Sequence, residues 1–100
     1  MATTSKALAR TAAATSSTLL YTVPALTTTV VTNIAVCNNA SSAATFTILL
    51  DDIELQKDTA LAANSTIYID LKQVLATTKT IKGLASAITV DFHISGVEIA

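Results

Sequence analysis

The stretch Thr28–Asn38 reads TTVVTNIAVCN, and its residues alternate between two faces with a period of two. This alternation, in a segment rich in β-branched side chains, predicts a long β-strand with one face turned inward. One face carries Val30, Thr32, Ile34 and Val36, and the other carries Thr29, Val31, Asn33, Ala35 and Cys37. A free cysteine in this pattern behaves as a small hydrophobe, so Cys37 is predicted to be an inert core thiol.

Segments of the same period lie on both sides of this strand, separated by residues that favour turns. The predicted strands are Thr18–Val23, Thr28–Asn38, Ala44–Leu50, Ile53–Lys57, Leu61–Ala63, Thr66–Leu71, Ile81–Leu84 and Ala87–Ile99. Asp51-Asp52 predicts a tight hairpin turn, because an Asp side chain can bond its own backbone two residues on. Gly96 predicts a bulge or a close approach of another backbone. Leu71–Ala76 (LKQVLA) could instead form a helical turn.

The number and spacing of these segments predict the fold class. Seven or eight short strands with turns roughly every 8–12 residues are typical of an antiparallel sandwich or barrel. The sequence therefore predicts an all-β protein with an antiparallel β-sandwich domain at residues 18–100, jelly-roll-like in its connections. Phe46 and Phe92 fall on inward faces and are expected in its core.

The first 17 residues do not alternate, and they are predicted to form an extended N-terminal arm. Lys6–Ala14 (KALARTAAA) has high helix propensity, but so short a helix is marginal in water. The arm is expected either to be disordered alone or to be ordered by lying on a neighbouring subunit. Lys6 and Arg10, the only charged residues of the first half of the chain, are the candidate partner-binding residues for an acidic surface.

Composition argues against two classes of partner. The net charge is −1, whereas phosphate binding needs clustered Lys and Arg, so no nucleic-acid partner is expected. No apolar run approaches the ~18–20 residues that span a bilayer, so no membrane partner is expected. Charged residues make up only 13% and eighteen residues are threonine. Such a neutral surface resists aggregation poorly, which favours a surface covered in an assembly.

Few residues could carry catalytic chemistry. His93 is the single histidine, and Asp91 and Ser95 share its outward face on the last strand. A flat strand face supplies neither an activated nucleophile nor an oxyanion hole. We therefore expect a polar surface that faces solvent or a partner, with no enzymatic activity, no catalytic residues and no cofactor.

Two further groups have a structural and a functional interpretation. Asp51, Asp52 and Glu54 form the only acidic cluster, which we interpret as a turn rather than a cation site, so no metal is expected. Tyr21 and Tyr68 could form a sugar-binding platform, although buried or rim packing is the commoner use of tyrosine.

Four segments form a recognisable series: Thr27–Asn39 (TTTVVTNIAVCNN), the hairpin at Leu50-Asp51-Asp52, Leu61–Ile69 (LAANSTIYI) and Ile94–Ile99 (ISGVEI). They resemble the small β-sandwich virion proteins of tailed bacteriophages. In those sequences a strand ending in CN precedes a hairpin, an ANST turn, a TIKG-like return and a terminal SGVEI. The resemblance covers Thr18 to Ile99 and leaves out the arm. Thr77–Thr80 (TTKT) departs from the acidic-glycine turn of the pattern.

The resemblance implies a capsid decoration (cement) protein, made in the host cytoplasm and located on the capsid exterior of the virion. Such proteins act as homo-oligomers, often trimers, and clamp neighbouring subunits of the major capsid protein. The alternative is a tail, neck or fibre-associated module that binds the host surface or other virion proteins. An enzyme is a third class, for which the sequence offers no candidate set of residues.

Overall fold

Eight antiparallel strands build the fold in the computed structural model, which describes residues 2–100. One four-stranded sheet has the order β1-β8-β3-β6, and the other has the order β2-β7-β4-β5. The strands are β1 Thr3–Ala12, β2 Thr18–Thr22, β3 Thr28–Asn38, β4 Ala44–Leu50, β5 Ile53–Leu61, β6 Ser65–Leu75, β7 Thr80–Ala85 and β8 Val90–Ile99. The two sheets pack face to face as a sandwich, so the predicted all-β class is confirmed. Seven strands match predicted segments, β1 was not predicted, and Leu61–Ala63 is not a separate strand because Leu61 ends β5.

The core lies between the two sheets, where alternate residues of each strand are excluded from water. Phe46 of β4 and Phe92 of β8 are almost fully buried, as expected from their inward positions. Their rings meet edge to face with centroids 6.4 Å apart, an arrangement that suits the charge distribution of aromatic rings. Ile48 and Leu50 continue the buried side of β4.

A bulge at Thr32 changes which residues of β3 face the core. Val31 pairs with Gly96 of β8 and Asn33 pairs with Ser95, so Thr32 is an extra residue on β3. The inward set is Thr29, Val31, Ile34, Val36 and Asn38. The predicted grouping of Val30 and Thr32 with Ile34 and Val36 on one face was therefore wrong, because the bulge brings Thr29 and Val31 to the inward side instead.

The prediction for Cys37 was wrong, and the prediction for Gly96 is confirmed. Cys37 lies half-buried on the outer side of β3, so its assignment to the core was wrong. Gly96 is confirmed as a close approach, because a Cβ there would overlap the carbonyl oxygen of Val30. Gly96 lies beside the Thr32 bulge, since it pairs with Val31, the residue before the bulge.

The N-terminal segment is a strand rather than an extended arm. Thr3–Ala12 forms β1, which pairs antiparallel with β8 along its length. Pairing with the edge of β8 satisfies backbone groups and outweighs the helix propensity of Lys6–Ala14, which therefore does not become helical. Leu8, the one buried residue of β1, joins the core. The predicted arm was wrong for residues 3–12, whereas Met1 lies outside the described residues.

Turn chemistry accounts for the connections. Asp51 and Asp52 both have positive φ, at 55° and 59°, between the paired residues Leu50 and Ile53. Two left-handed residues in a two-residue loop make the type I′ geometry that suits a twisted hairpin, so the predicted turn is confirmed. The helical alternative for Leu71–Ala76 was wrong, since β6 continues to Leu75.

Candidate functional site

Lys6 and Arg10 lie on opposite faces of the first sheet. Residues four apart in a regular strand share a face, but β1 has a bulge between Ala7 and Ala9. Lys6 pairs with Gly96, which faces the core side, whereas Arg10 pairs with the exposed His93 on the outer face. The structure therefore does not bring the two predicted partner-binding residues together.

Lys6 belongs to a polar network that crosses the sandwich. Its ammonium lies 3.4 Å from the carboxylate of Glu98 on β8. The hydroxyl of Tyr21, on the opposite sheet, donates to Glu98 at 2.5 Å and lies 2.8 Å from the hydroxyl of Thr29. The network links β1, β8, β2 and β3, and no pattern in the sequence relates residues so distant along the chain. Its role is structural, since it joins the two sheets.

Tyr21 is held in its neutral form by this environment. Burial and, after it, the hydrogen bond to the Glu98 carboxylate together raise the pKa of Tyr21 to about 12, against a smaller lowering by the hydrogen bond with Thr29. A phenolate beside a carboxylate in a desolvated position is unfavourable, which explains the direction. Tyr21 is thus a buried structural donor, in line with the packing role favoured for the tyrosines, whereas Tyr68 is exposed, and the alternative platform of Tyr21 with Tyr68 is not formed.

The outer face of the first sheet carries the other candidate residues. One row across this face consists of Arg10, His93, Ala35 and Tyr68, each paired with the next on neighbouring strands. Tyr68 is 71% exposed, and His93 is also exposed. We call this set the Tyr68 row. In the adjacent row, Asn33 donates from Nδ2 to Asp70 at 3.1 Å.

Asp91, His93 and Ser95 lie side by side on this outer face, as their spacing predicts. Asp91 accepts a hydrogen bond from Asn39 Nδ2 at 3.0 Å. Their arrangement is that of three successive outward positions on one strand, about 7 Å apart, which is too far for a nucleophile and its base to share a proton directly.

The three residues of the acidic cluster pair with lysines. Asp51 lies 3.6 Å from Lys79, Asp52 lies 2.7 Å from Lys82, and Glu54 lies 3.7 Å from Lys57. Each carboxylate thus has its own cation, and the cluster is dispersed around the hairpin turn. Within residues 2–100, no group of three or more His, Cys, Asp or Glu side chains is placed to hold a metal ion.

One end of the sandwich exposes apolar side chains. We call it the loop end, and it is formed by the β2–β3, β4–β5 and β6–β7 connections, each of which contains a residue with positive φ. Leu26 in the β2–β3 connection is 92% exposed at φ 58°. Ile53 and Val74, also exposed, line a groove of about 220 Å³ beside Leu55 and Leu75. Sequence reasoning missed this surface, because nothing in the spacing marks Leu26 as exposed.

Comparisons with known proteins add no relationship to this geometry: no family model and no curated protein matches the chain. Among the described residues, no helix has the length and apolarity needed to cross a bilayer.

Proposed function

We propose that this chain is a bacteriophage capsid decoration (cement) protein, which stabilises the head by bridging subunits of the major capsid protein. It acts without catalysis or cofactor, as a homo-oligomer and most simply a trimer, on the capsid exterior after synthesis in the host cytoplasm. Neither nucleic acid nor membrane is a partner in this proposal. The support comes from the resemblance of the sequence, the topology of the sandwich and the chemistry of the loop end.

The observation that carries the proposal is the state of Leu26. A leucine with positive φ is sterically disfavoured, and its exposed side chain gains nothing from the fold itself. Strained backbone and exposed apolar side chains concentrate where proteins bind partners. Ile53 and Val74 present further apolar surface at the same end of the molecule. This pattern suits a loop end that docks on another protein.

The topology supports the finer description of the fold as a jelly roll. Each strand pairs with the strand that mirrors its position in the chain: β1 with β8, β2 with β7, β3 with β6 and β4 with β5. Four such antiparallel pairs, divided between two packed sheets, form the topology of an eight-stranded jelly roll, an architecture common in viral shells. A rigid sandwich with contact-making loops at one end suits a cementing role.

Binding of an assembled shell explains how such a module stabilises a capsid. A protein that binds only the assembled state shifts the equilibrium towards that state by mass action. Arg10 remains a candidate contact for an acidic subunit, because no ion pair of Arg10 occurs within the described part of the chain. Lys6 is a weaker candidate, since Glu98 neutralises it.

The experiment begins with virions of the phage that encodes this chain, separated into heads and tails and probed with a specific antibody. We expect the chain on heads only. Heads lacking it should release DNA at a lower temperature than complete heads, and purified protein added back should restore the difference. Detection on tails alone would replace the proposal with its alternative, and absence from virions would overturn both.

A pair of variants tests the loop end directly. Leu26→Ser should weaken binding to capsids that lack the protein, because it removes the exposed apolar contact. Ile88→Ser is the matched control, since Ile88 is 71% exposed in the β7–β8 connection at the opposite end. If both variants bind capsids equally well, the loop end is not part of the interface with the capsid.

The alternative is a tail, neck or fibre-associated module that binds the host surface or other virion proteins. The exposed ring of Tyr68 on the outer face favours it, because tyrosine, with its apolar ring and polar hydroxyl, is enriched at binding interfaces. The same fractionation of virions distinguishes the two candidates.

A further inference from the structure

The geometry of the Tyr68 row points to a binding site for one neutral hexose unit of a glycan, and we propose that the ring sits over Ala35 between Tyr68 and His93. The site lies on the outer face of the first sheet rather than at the loop end. It goes beyond the proposed capsid function, because its chemistry depends only on this face of the domain.

The spacing of the strands creates a slot of suitable width. Ala35 pairs directly with Tyr68 on one side and with His93 on the other. Neighbouring strands lie about 4.8 Å apart, so the two flanking side chains stand about 9.6 Å apart. Side chains on a sheet stand roughly perpendicular to it, and only the methyl group of Ala35 occupies the floor. A ring above Ala35 therefore lies about 4.8 Å from each wall.

The walls offer the surface that a sugar ring needs. The face of an aromatic ring carries partial negative charge, and the C–H groups on one side of a pyranose carry partial positive charge, so the two pack together. Tyr68 is 71% exposed, which leaves its ring available for such packing. His93 on the opposite wall is exposed too and can donate or accept a hydrogen bond through its imidazole.

The hydroxyl groups of the sugar find partners at one end of the slot. Asn33 and Asp70 follow Ala35 and Tyr68 on the same outer face, and Asn33 Nδ2 already donates to Asp70 Oδ1 at 3.1 Å. This bond fixes both side chains and leaves the second carboxylate oxygen as an acceptor and the amide oxygen as another. A depression beside them, lined by Thr32, Asp70, Leu71 and Lys72, gives room for the next sugar unit.

The charges around the slot favour a neutral ligand. Arg10 and Lys72 supply two positive charges, and Asp70 and Asp91 supply two negative charges, all on the same face. Because these charges balance, an acidic sugar gains no net attraction over a neutral one.

The test is a titration of the isotope-labelled protein followed by amide chemical shifts in two-dimensional NMR. The probes are the methyl glycosides of glucose, galactose and mannose, with N-acetylneuraminic acid as the acidic comparison. We expect at least one neutral glycoside to shift the amides of Asn33, Ala35, Tyr68, Asp70 and His93, with a Kd on the order of 1 mM for so small a ligand. Absence of such shifts at about 50 mM of every neutral probe would overturn the proposal.

Three variants assign the effect to the slot. Tyr68→Ala should weaken binding about tenfold, whereas Tyr68→Phe should retain it, because the ring supplies the contact. Ala35→Leu should block binding by filling the floor. Thr66→Ala, two positions from Tyr68 on the same face of β6, is the matched control and should bind normally. Unchanged binding by Tyr68→Ala, or tighter binding of the acidic sugar than of every neutral one, would contradict the assignment.

Discussion

Gly96→Ala tests the register of the first sheet, since it adds a single methyl group where the backbone of β3 lies close to β8. The new Cβ would overlap the carbonyl oxygen of Val30 and lie 2.9 Å from Cδ1 of Leu8. Leu8 can turn aside, but the Val30 carbonyl is part of the strand backbone beside the Thr32 bulge. Relief of the overlap therefore requires β3 and β8 to move apart.

The size of the effect follows from a comparison with Gly83, the other glycine of the chain. A Cβ at Gly83 would meet only side chains, Cδ1 of Leu20 at 2.9 Å and Cε2 of Phe92 at 3.1 Å. Leu20 is half-buried and can shift, and alanine is the better strand residue, so Gly83→Ala should change the free energy of unfolding by less than about 1 kcal/mol. At Gly96 the overlapping atom belongs to the backbone and cannot move aside in the same way, so Gly96→Ala should lower the free energy of unfolding by about 3 kcal/mol.

The assay is urea unfolding followed by far-ultraviolet circular dichroism, with thermal unfolding as a second measurement. A loss of 3 kcal/mol in a domain of this size lowers Tm by roughly 12–24 °C. The slope of the free energy against urea should be unchanged, because the surface exposed on unfolding is the same.

The result that refutes this reasoning is a Gly96→Ala variant as stable as, or more stable than, Gly83→Ala. In that case the backbones of β3 and β8 are not in the register that brings Val30 against Gly96.

Three further predictions address the network, the loop end and β1. Tyr21→Phe should lower the free energy of unfolding by about 1–2 kcal/mol at pH 7, because it removes the hydroxyl bonded to Glu98 and Thr29. The raised pKa of Tyr21 in the folded protein, about 12 against 10.0, contributes stability in full below pH 10. This contribution is lost as pH rises from 10 to 12. Urea unfolding should therefore show that the free energy of unfolding falls between pH 8 and pH 11 in the wild type, and falls less in Tyr21→Phe. Leu26→Asn should raise the free energy of unfolding by about 0.5–1 kcal/mol, since asparagine tolerates positive φ and the exposed leucine loses no packing; a decrease in thermal scans would show that Leu26 packs in solution. Deletion of residues 2–12 should lower the free energy of unfolding by about 2–4 kcal/mol and speed amide hydrogen exchange in β8, because Leu8 and the β1 ladder are lost. An unchanged free energy of unfolding would show that these residues form an arm that does not stabilise the domain.

Strand residues with regular alternation were predictable, and those beside bulges were not. Phe46, Ile48 and Leu50 repeat with a period of two, and the core side of β4 follows from that period alone. Thr32 and Leu8 are the extra residues at two bulges in the pairing with β8, so the inward face changes at a point that the local sequence does not reveal.

The prediction for Thr3–Ala12 was wrong for a different reason. Alanine, lysine and arginine favour helix, and Leu8 is the one buried side chain, so neither propensity nor periodicity marks a strand. Only the unpaired edge of β8, some ninety residues away in the chain, makes the extended form favourable. Ile88 shows the converse, since it continues the alternation of β8 but lies exposed in the preceding connection.

The bulge in β1 between Ala7 and Ala9 places Lys6 and Arg10 on opposite faces. The sequence could therefore indicate the two candidate residues but not their relative positions. The Tyr68 row likewise joins residues of four strands whose order is set by the sandwich. Sequence spacing does place Asp91, His93 and Ser95 on one face, because they belong to a single regular strand.

The position of the last two strands governs when the molecule can fold during synthesis. β8 separates β1 from β3, and β7 separates β2 from β4, so one of the two central strands of each sheet comes from residues 80–99. On the ribosome, β1 has no strand to pair with until β8 is made and β2 has none until β7 is made, so their edges remain open to other nascent chains. Folding should therefore be a late and slow event that follows synthesis of β8, and a chain truncated before β8 should leave β1 without a strand to pair with.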